Sequence, residues 1–343
     1  MSSKLEEKIK EFNKKYKSNL VSVGVPTYDY KRIPFTSPRL NYMTHGGLPI
    51  GKLIEFYGEE HGGKTTTALD VVANYQQMED AKKALWVDCE HTLDAVWATK
   101  LGVNLDDLII LQPENQSAEE IFQFVLDMIS TGEIGLVVID SFGVMLSAQA
   151  LDKDMTEKTY AGISKALTDF GGRAVGMCNK YECTIIGINQ MRDDLKSSFG
   201  GLKTVGGRAW KHDVSVRLEF SLGKYLDEKG NELSKYAESP RGNYVMVYMP
   251  KNKSCTPTRR TGFYTINYDY GIDYLRDLVD LAIKYGIIAQ SGAWFDIIDV
   301  NTGEKLTDSM QGKAKVYAFL DNEANINILQ NIEENVNRLM EEE

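Results

Sequence analysis

Gly58-Glu59-Glu60-His61-Gly62-Gly63-Lys64-Thr65, followed by Thr66, is a full match to G-x-x-x-x-G-K-[ST]. It lies between an apolar run, Leu53 to Tyr57, and a segment of helical pattern, the strand–loop–helix setting that gives the motif its chemical meaning. Backbone N–H groups of such a loop wrap phosphate oxygens, and the helix N-terminus adds partial positive charge. Residues 58–66 are therefore the expected phosphate cradle, with Lys64 reaching the β- and γ-phosphates and the Thr65 hydroxyl holding Mg²⁺. The pattern predicts a nucleoside triphosphatase and is silent on what hydrolysis drives.

Outward from the cradle, apolar runs at Ala84 to Val87, Leu136 to Ile139 and Thr184 to Ile188 alternate with helical patterns, which predicts a mostly parallel α/β sheet. Alternating segments at Val214 to Phe220, Tyr244 to Met249 and Phe263 to Tyr268 predict that antiparallel strands extend it into a mixed sheet. Ser3 and Glu6 suit a capping box, and Leu5, Ile9, Phe12 and Tyr16 form an apolar stripe on a Lys-rich helix. That stripe packs either on its own core or on a neighbouring subunit. Residues 18–44, punctuated by Pro26, Pro34 and Pro38, read as a linker with docked turns. Beyond Gly271 the period is helical from Leu275 to Ile288, then turn-rich, then helical into Glu341, Glu342 and Glu343. The expected division is an N-terminal helix and linker (1–33), an ATPase core (34–270) and a small α+β C-terminal domain with an acidic tail (271–343).

The composition, 43% hydrophobic and 26% charged over 343 residues, is that of a globular chain. No apolar run reaches bilayer length and the first residues are rich in Lys and Glu, so neither a membrane span nor a signal peptide is expected, and the location expected is cytoplasmic. Cys89, Cys178, Cys183 and Cys255 show no C-x-x-C pair and no zinc spacing, and read as reduced packing residues. A net charge of −10 argues against uniform coating of nucleic acid but leaves local basic patches open.

Open α/β sheets bind ligands beyond the carboxyl ends of their strands. Asp140 closes Leu-Val-Val-Ile-Asp in the manner of a carboxylate that holds Mg²⁺ through water. Glu90, two residues past Asp88 at the end of another run, is a candidate to orient or deprotonate the attacking water. Asn189-Gln190 ends a third run, where an amide can sense a γ-phosphate.

These motifs resemble the bacterial RecA recombinase family from about Pro34 to Leu320. The resemblance rests on Gly-Gly-Leu-Pro-Ile-Gly-Lys at 46–52, the phosphate loop, Asp88 to Asp94, Ala98 to Gly102, Val138 to Ser141, Ile188 to Arg192, Lys251-Asn252-Lys253 and Gly292 to Trp294. It implies an α/β RecA-type P-loop core, ATP with Mg²⁺, and a helical filament on DNA with ATP between protomers. Residue by residue it implies Glu90 as the water-activating glutamate and Gln190 as the γ-phosphate sensor. Trp97, beside Asp94, falls where an aromatic stacks on adenine, an indole replacing the usual tyrosine, and Tyr268 falls where a tyrosine packs near the base. Lys251 and Lys253, by themselves two lysines on a loop, become the pair that reaches a neighbour's γ-phosphate.

The resemblance also implies two DNA loops. The second, about Met191 to Lys211, carries five basic residues, among them Arg192, Lys196, Lys203 and Arg208, against Asp193 and Asp194. Phe199, Gly200 and the Gly206-Gly207 pair add a base wedge and backbone that can approach phosphates. In the first loop, about Leu151 to Ala161, Tyr160 is the best contact candidate. Departures from the family pattern are Glu59, His61 and Gly62 inside the cradle, a second loop one residue shorter, and Leu202-Lys203 where Pro-Glu is usual. They raise the expectation of a distant, phage-encoded branch. The acidic tail is expected to compete with DNA for basic surface.

The function expected is an ATP-dependent recombinase that polymerises on single-stranded DNA, pairs it with homologous duplex and exchanges strands, served by single-strand-binding and mediator proteins and without a membrane partner. Two rivals stay open: a helicase-type ring motor, and a filament regulator that promotes repressor cleavage without strand exchange.

Overall fold

A computed structural model describes residues 3–15, 21, 30–152, 162–193, 202–256 and 258–342. Tyr16, the last member of the N-terminal stripe, lies outside them. The chain divides into two units, Met1–Tyr30 and Lys31–Glu343. In the first, helix α1 (Ser3–Lys15) carries a Lys8–Glu11 pair at 2.7 Å, and the Asn13 amide closes on the backbone of Val21 at 2.8 and 2.9 Å.

The second unit begins with a ribbon, β1 (Arg32–Ile33) against β2 (Leu48–Pro49), around helix α2 (Pro38–Thr44). The linker expectation fails here. Ser37 caps α2 through the Leu40 N–H, Pro38 occupies the first turn where a missing N–H costs nothing, and Ile33, Phe35, Leu40 and Met43 are buried in the core.

The central elements follow as β3 (Leu53–Gly58), α3 (Lys64–Gln76), β4 (Lys83–Asp88), α4 (Ala95–Lys100), β5 (Leu108–Leu111), α5 (Ala118–Ser130), β6 (Ile134–Asp140), α6 (Ala148–Leu151) and α7 (Gly162–Tyr181). Next come β7 (Thr184–Asp193), β8 (Leu202–Thr204), α8 (Gly207–Asp213), β9 (Val216–Leu226), β10 (Glu232–Leu233), β11 (Gly242–Asn252), β12 (Thr261–Asn267) and β13 (Gly271–Ile272). The main sheet runs β13-β12-β11-β9-β3-β7-β6-β4-β5. It is parallel from β5 through β3 to β9 and antiparallel from β11 to β13, so the mixed α/β sheet expected from the sequence is present. Two details differ. β9 joins β3 in parallel before it pairs with β11, and β5 was not foreseen.

Alternation splits the strands between two cores. Ile54, Phe56, Trp86, Val138 and Ile186 pack with Val71 and Val72 of α3 on one face. Leu53, Leu85, Val87, Val137, Ile139 and Ile185 pack with Val125 of α5 and Leu167 of α7 on the other. Both faces are covered, which is why these strands read as continuous apolar runs.

The C-terminal part comprises α9 (Tyr274–Lys284), a three-stranded antiparallel sheet of β14 (Ile288–Ser291), β15 (Trp294–Ile297) and β16 (Met310–Gln311), α10 (Lys313–Leu320) and α11 (Ile326–Glu342), around their own buried cluster. Its first helix is tied to α2 by the Ser37 Oγ–Asp277 hydrogen bond and by Arg39–Asp280 at 3.3 Å. Among the described residues no helix is long and apolar enough to cross a membrane.

Candidate nucleotide-binding site

The loop after β3 turns only because two glycines occupy its ends. Gly58 has φ 151°, and a Cβ there would meet the Phe220 carbonyl oxygen at 2.0 Å. Gly63 has φ 91°, and a Cβ would meet Val245 Cγ2 at 2.8 Å. Glu59, Glu60 and His61 between them are exposed, His61 taking φ 58° despite its side chain. The Lys64 side chain folds back into the turn, its Nζ donating to the carbonyls of Gly58 (3.2 Å) and Glu59 (2.5 Å). Burial pushes this ammonium down from its ordinary range, and Asp140, Glu90, Glu60 and Glu59 counter that shift. A buried cation held by loop carbonyls, in a cradle that a Cβ would fill, fits a phosphate chain.

At the carboxyl ends of β4 and β6, Asp88 and Asp140 stand side by side in register. Thr65 Oγ1 donates to Asp140 Oδ2 at 2.8 Å, uniting the first turn of α3 with the end of β6. Burial, with Glu90 and Asp88 adding to it, pushes the Asp140 carboxyl up to about 6. Hydroxyl and carboxylate are the hard oxygen donors that Mg²⁺ takes. Asp88 is spent structurally, accepting from Thr92 N–H (3.0 Å), Leu93 N–H (3.3 Å) and Gln112 Nε2 (3.0 Å). Glu90 Oε1 accepts from Ser141 Oγ and from Gln190 Nε2, the latter at 3.0 Å. Gln190 and Glu90 are thus in direct contact, an arrangement that spacing alone does not reveal.

Beside the loop opens a cavity of about 520 Å³. Its walls include His61 to Thr66 and both sequence-predicted aromatics, Trp97 and Tyr268, together with Leu222 and Tyr225 of β9, Asn243 of β11 and Ile266 of β12. Those last four were missed. Trp97 Nε1 donates to Thr66 Oγ1 at 3.2 Å, and Tyr268 OH to Asn243 Oδ1 at 2.8 Å. Asp94 is not part of the wall. Its Oδ1 caps α4 by accepting from Val96 N–H (2.8 Å) and Trp97 N–H (3.0 Å), which fixes the helix that carries the indole.

Lys251 and Lys253 lie elsewhere. Lys251 Nζ donates to the carbonyls of Lys211 and His212, and Lys253 Nζ to that of His212, so both rest on the C-terminal turn of α8. The middle of α8 is anchored on β3 through buried Glu55. Glu55 accepts from Trp210 Nε1 (3.1 Å), Asn189 Nδ2 (2.9 Å) and Arg217 Nε. Asn189, adjacent to Gln190, also binds the Val205 carbonyl at 2.9 Å. Of the DNA-contact candidates, Arg192 and Lys203 are backbone partners in the β7–β8 register, and Gly206, Gly207 and exposed Arg208 open α8. Tyr160, Lys196, Phe199 and Gly200 lie outside the described residues.

The chain matches the RecA N-terminal domain over residues 3–273 and the RecA C-terminal domain over 276–341. It is 34% identical over 267 residues to Protein RecA of Clostridium perfringens (strain 13 / Type A), covering 78% of this chain and 72% of that one. It is 35% identical over 275 residues to Protein RecA of Leptospira biflexa serovar Patoc, covering 80% and 66%. With Protein RecA of Cereibacter sphaeroides it shares 33% over 292 residues, covering 85% and 79%. Both domain models match in order and a third of the residues coincide over most of the chain, so this chain belongs to the RecA family.

Proposed function

We propose that this protein is an ATP-dependent recombinase that forms a helical filament on single-stranded DNA, pairs it with homologous duplex and exchanges strands. The coarser part comes with the family: a RecA-type recombinase role, DNA-dependent ATPase activity with ATP and Mg²⁺, DNA binding and self-assembly. The observation that most supports coupling is strand β7. Its residue Gln190 bonds to Glu90, and its next three residues, Met191 to Asp193, pair with β8 within the stretch that carries the second set of DNA-contact candidates.

In this reading Lys64 and the loop N–H groups grip the phosphates and Trp97 and Tyr268 take the base. Mg²⁺, held by Thr65 and through water by Asp140, would neutralise charge on the β- and γ-oxygens. Glu90 accepts the proton of the attacking water as its oxygen bonds to the γ-phosphorus and the bond to the β–γ bridging oxygen breaks, ADP leaving with that electron pair. Lys251 and Lys253 add positive charge from the neighbouring protomer, which makes assembly depend on the triphosphate. The expected division at 34–270 and 271–343 belongs to the same proposal.

The test is ATP hydrolysis with and without single-stranded DNA, then strand exchange, with Lys64→Ala as control. Strong stimulation and joint-molecule formation, both lost in Lys64→Ala, are expected. A DNA-independent rate would demote the reading to a generic P-loop ATPase, ring-like unwinding would favour a motor, and filaments without joint molecules would favour a regulator.

A further inference from the structure

Ser141 carries no role in the function proposed above, yet it is 1% exposed and its hydroxyl is committed on both sides. Its oxygen accepts from the Gly143 N–H at 3.3 Å, and its proton goes to Glu90 Oε1. Gln190 Nε2 donates to the same Oε1, so two donors hold one oxygen of the carboxylate. Among the described residues none donates to Oε2. The turn is packed closely around this group. A Cβ at Gly143 would lie 3.3 Å from Gln190 Oε1 and 3.4 Å from Ser141 Oγ, so a side chain there would press on the converging serine and glutamine.

We propose that Ser141 is a positioning residue for hydrolysis, its hydroxyl holding Oε1 of Glu90 so that Oε2 is left to receive the proton of the attacking water. This rests on the reading of Glu90 as the base. The two donors differ in permanence. Gln190 falls where the family resemblance implies a γ-phosphate sensor, and to reach that phosphate it must release Glu90. Ser141 is fixed by the backbone N–H of Gly143 and stays. When the glutamine turns away, the serine alone keeps the carboxylate from swinging into the several rotamers that a glutamate side chain otherwise samples. A base misplaced by about an ångström loses much of its advantage, because proton transfer needs hydrogen-bond reach.

The test is steady-state ATP hydrolysis by the full chain with single-stranded DNA, comparing wild type, Ser141→Ala, Glu90→Asp and the double variant. Ser141→Ala is expected to lower kcat about tenfold, as loss of one hydrogen bond to a charged group does, with KM for ATP nearly unchanged. Aspartate is too short to be held from Ser141, so adding Ser141→Ala to Glu90→Asp is expected to cost less than about twofold more, the signature of two residues acting as one unit. A wild-type kcat in Ser141→Ala, a loss that appears in KM, or the same loss in the Glu90→Asp background overturns the proposal. Glu90→Gln, run alongside, separates the two layers. Undiminished hydrolysis in that variant removes the base reading itself, whereas its loss together with an indifferent Ser141→Ala removes only the positioning role.

Discussion

The ammonium group of Lys253 lies 2.7 Å from the carbonyl oxygen of His212, in the last turn of α8. Lys251, the penultimate residue of β11, reaches the same carbonyl at 3.1 Å. The last carbonyls of a helix have no partner within it, so two cations are a natural cap. In this protomer the pair serves its own subunit, and to serve another's phosphate it must leave α8. If it acts across the interface, Lys64→Ala and Lys251→Ala variants, each inactive alone, should recover hydrolysis when mixed. Random mixing at a head-to-tail contact leaves about a quarter of the interfaces with both groups intact. Mixtures no more active than their components would place the lysines outside the neighbour's site.

The same lysine gives a pH signature. Burial first, and the charge of Lys253 second, push the Lys251 ammonium down to about 8 from an ordinary value of 10.5. It is cationic below that pH and neutral above it. That value belongs to the lysine docked on α8; deprotonation favours the docked form as pH rises past about 8, so DNA-stimulated hydrolysis is expected to fall above that pH, and Lys251→Arg, whose guanidinium does not deprotonate, should remove that limb if it retains activity. An unchanged profile in an active Lys251→Arg variant would mean that another group sets the limb.

Asp70, buried in α3, accepts from the Thr36 N–H at 3.1 Å and from Asn74 Nδ2 at 3.2 Å, yet burial still pushes its carboxyl up to about 6. A raised folded-state value means the native protein binds more protons than the unfolded chain between about 4 and 6, so stability falls as pH rises through that window. Asp70→Asn should be more stable than wild type at pH 7, by on the order of 2 kcal/mol, and so melt at a higher temperature, and should lose the advantage at pH 4. Thermal denaturation at both pH values checks the sign.

Trp97 can be tested without turnover. Replacing it by alanine removes one aromatic wall of the cavity and should weaken ATP binding about tenfold, while tyrosine should restore most of it. Calorimetric titration with a non-hydrolysable ATP analogue and Mg²⁺ measures both. Equal affinities in all three proteins would exclude stacking at this wall.

Met340 is buried in the C-terminal core and its carbonyl accepts from Arg259 at 2.6 Å, whereas Glu341 and Glu342 are exposed. A chain ending after Met340 should keep its fold and bind duplex DNA more tightly, most clearly at low salt where charge repulsion is least screened. Unchanged binding across a salt series would sink the autoinhibitory tail.

The parts legible in the sequence are those whose physics is local. Strands such as Leu136 to Ile139 are covered on both faces and so announce themselves as apolar runs, and the cradle is a single contiguous turn. Helix α2 carries a start signal in Ser37 followed by Pro38, but with Pro26 and Pro34 before it Pro38 reads as loop punctuation. What could not be read is assembled at long range. Leu222, Asn243 and Ile266 reach the cavity from three strands whose alternation marks a face without saying what it faces. Glu55 sits in Leu-Ile-Glu-Phe-Tyr, where one charge in an apolar run gives no hint of the Arg217, Trp210 and Asn189 donors that satisfy it. The contact between Gln190 and Glu90 joins residues a hundred positions apart.

Strand β11 holds Asn243 in the cavity wall near one end and Lys251 near the other. Eight residues of extended chain span roughly 27 Å, and neither end can shift without dragging the other. In the proposed filament that strand would act as a ruler, with the spacing between a protomer's own base site and the neighbour's phosphate built into one covalent segment. Lengthening it by a single residue would change the reach by about 3 Å and turn the Lys251 side chain to the opposite face of the sheet.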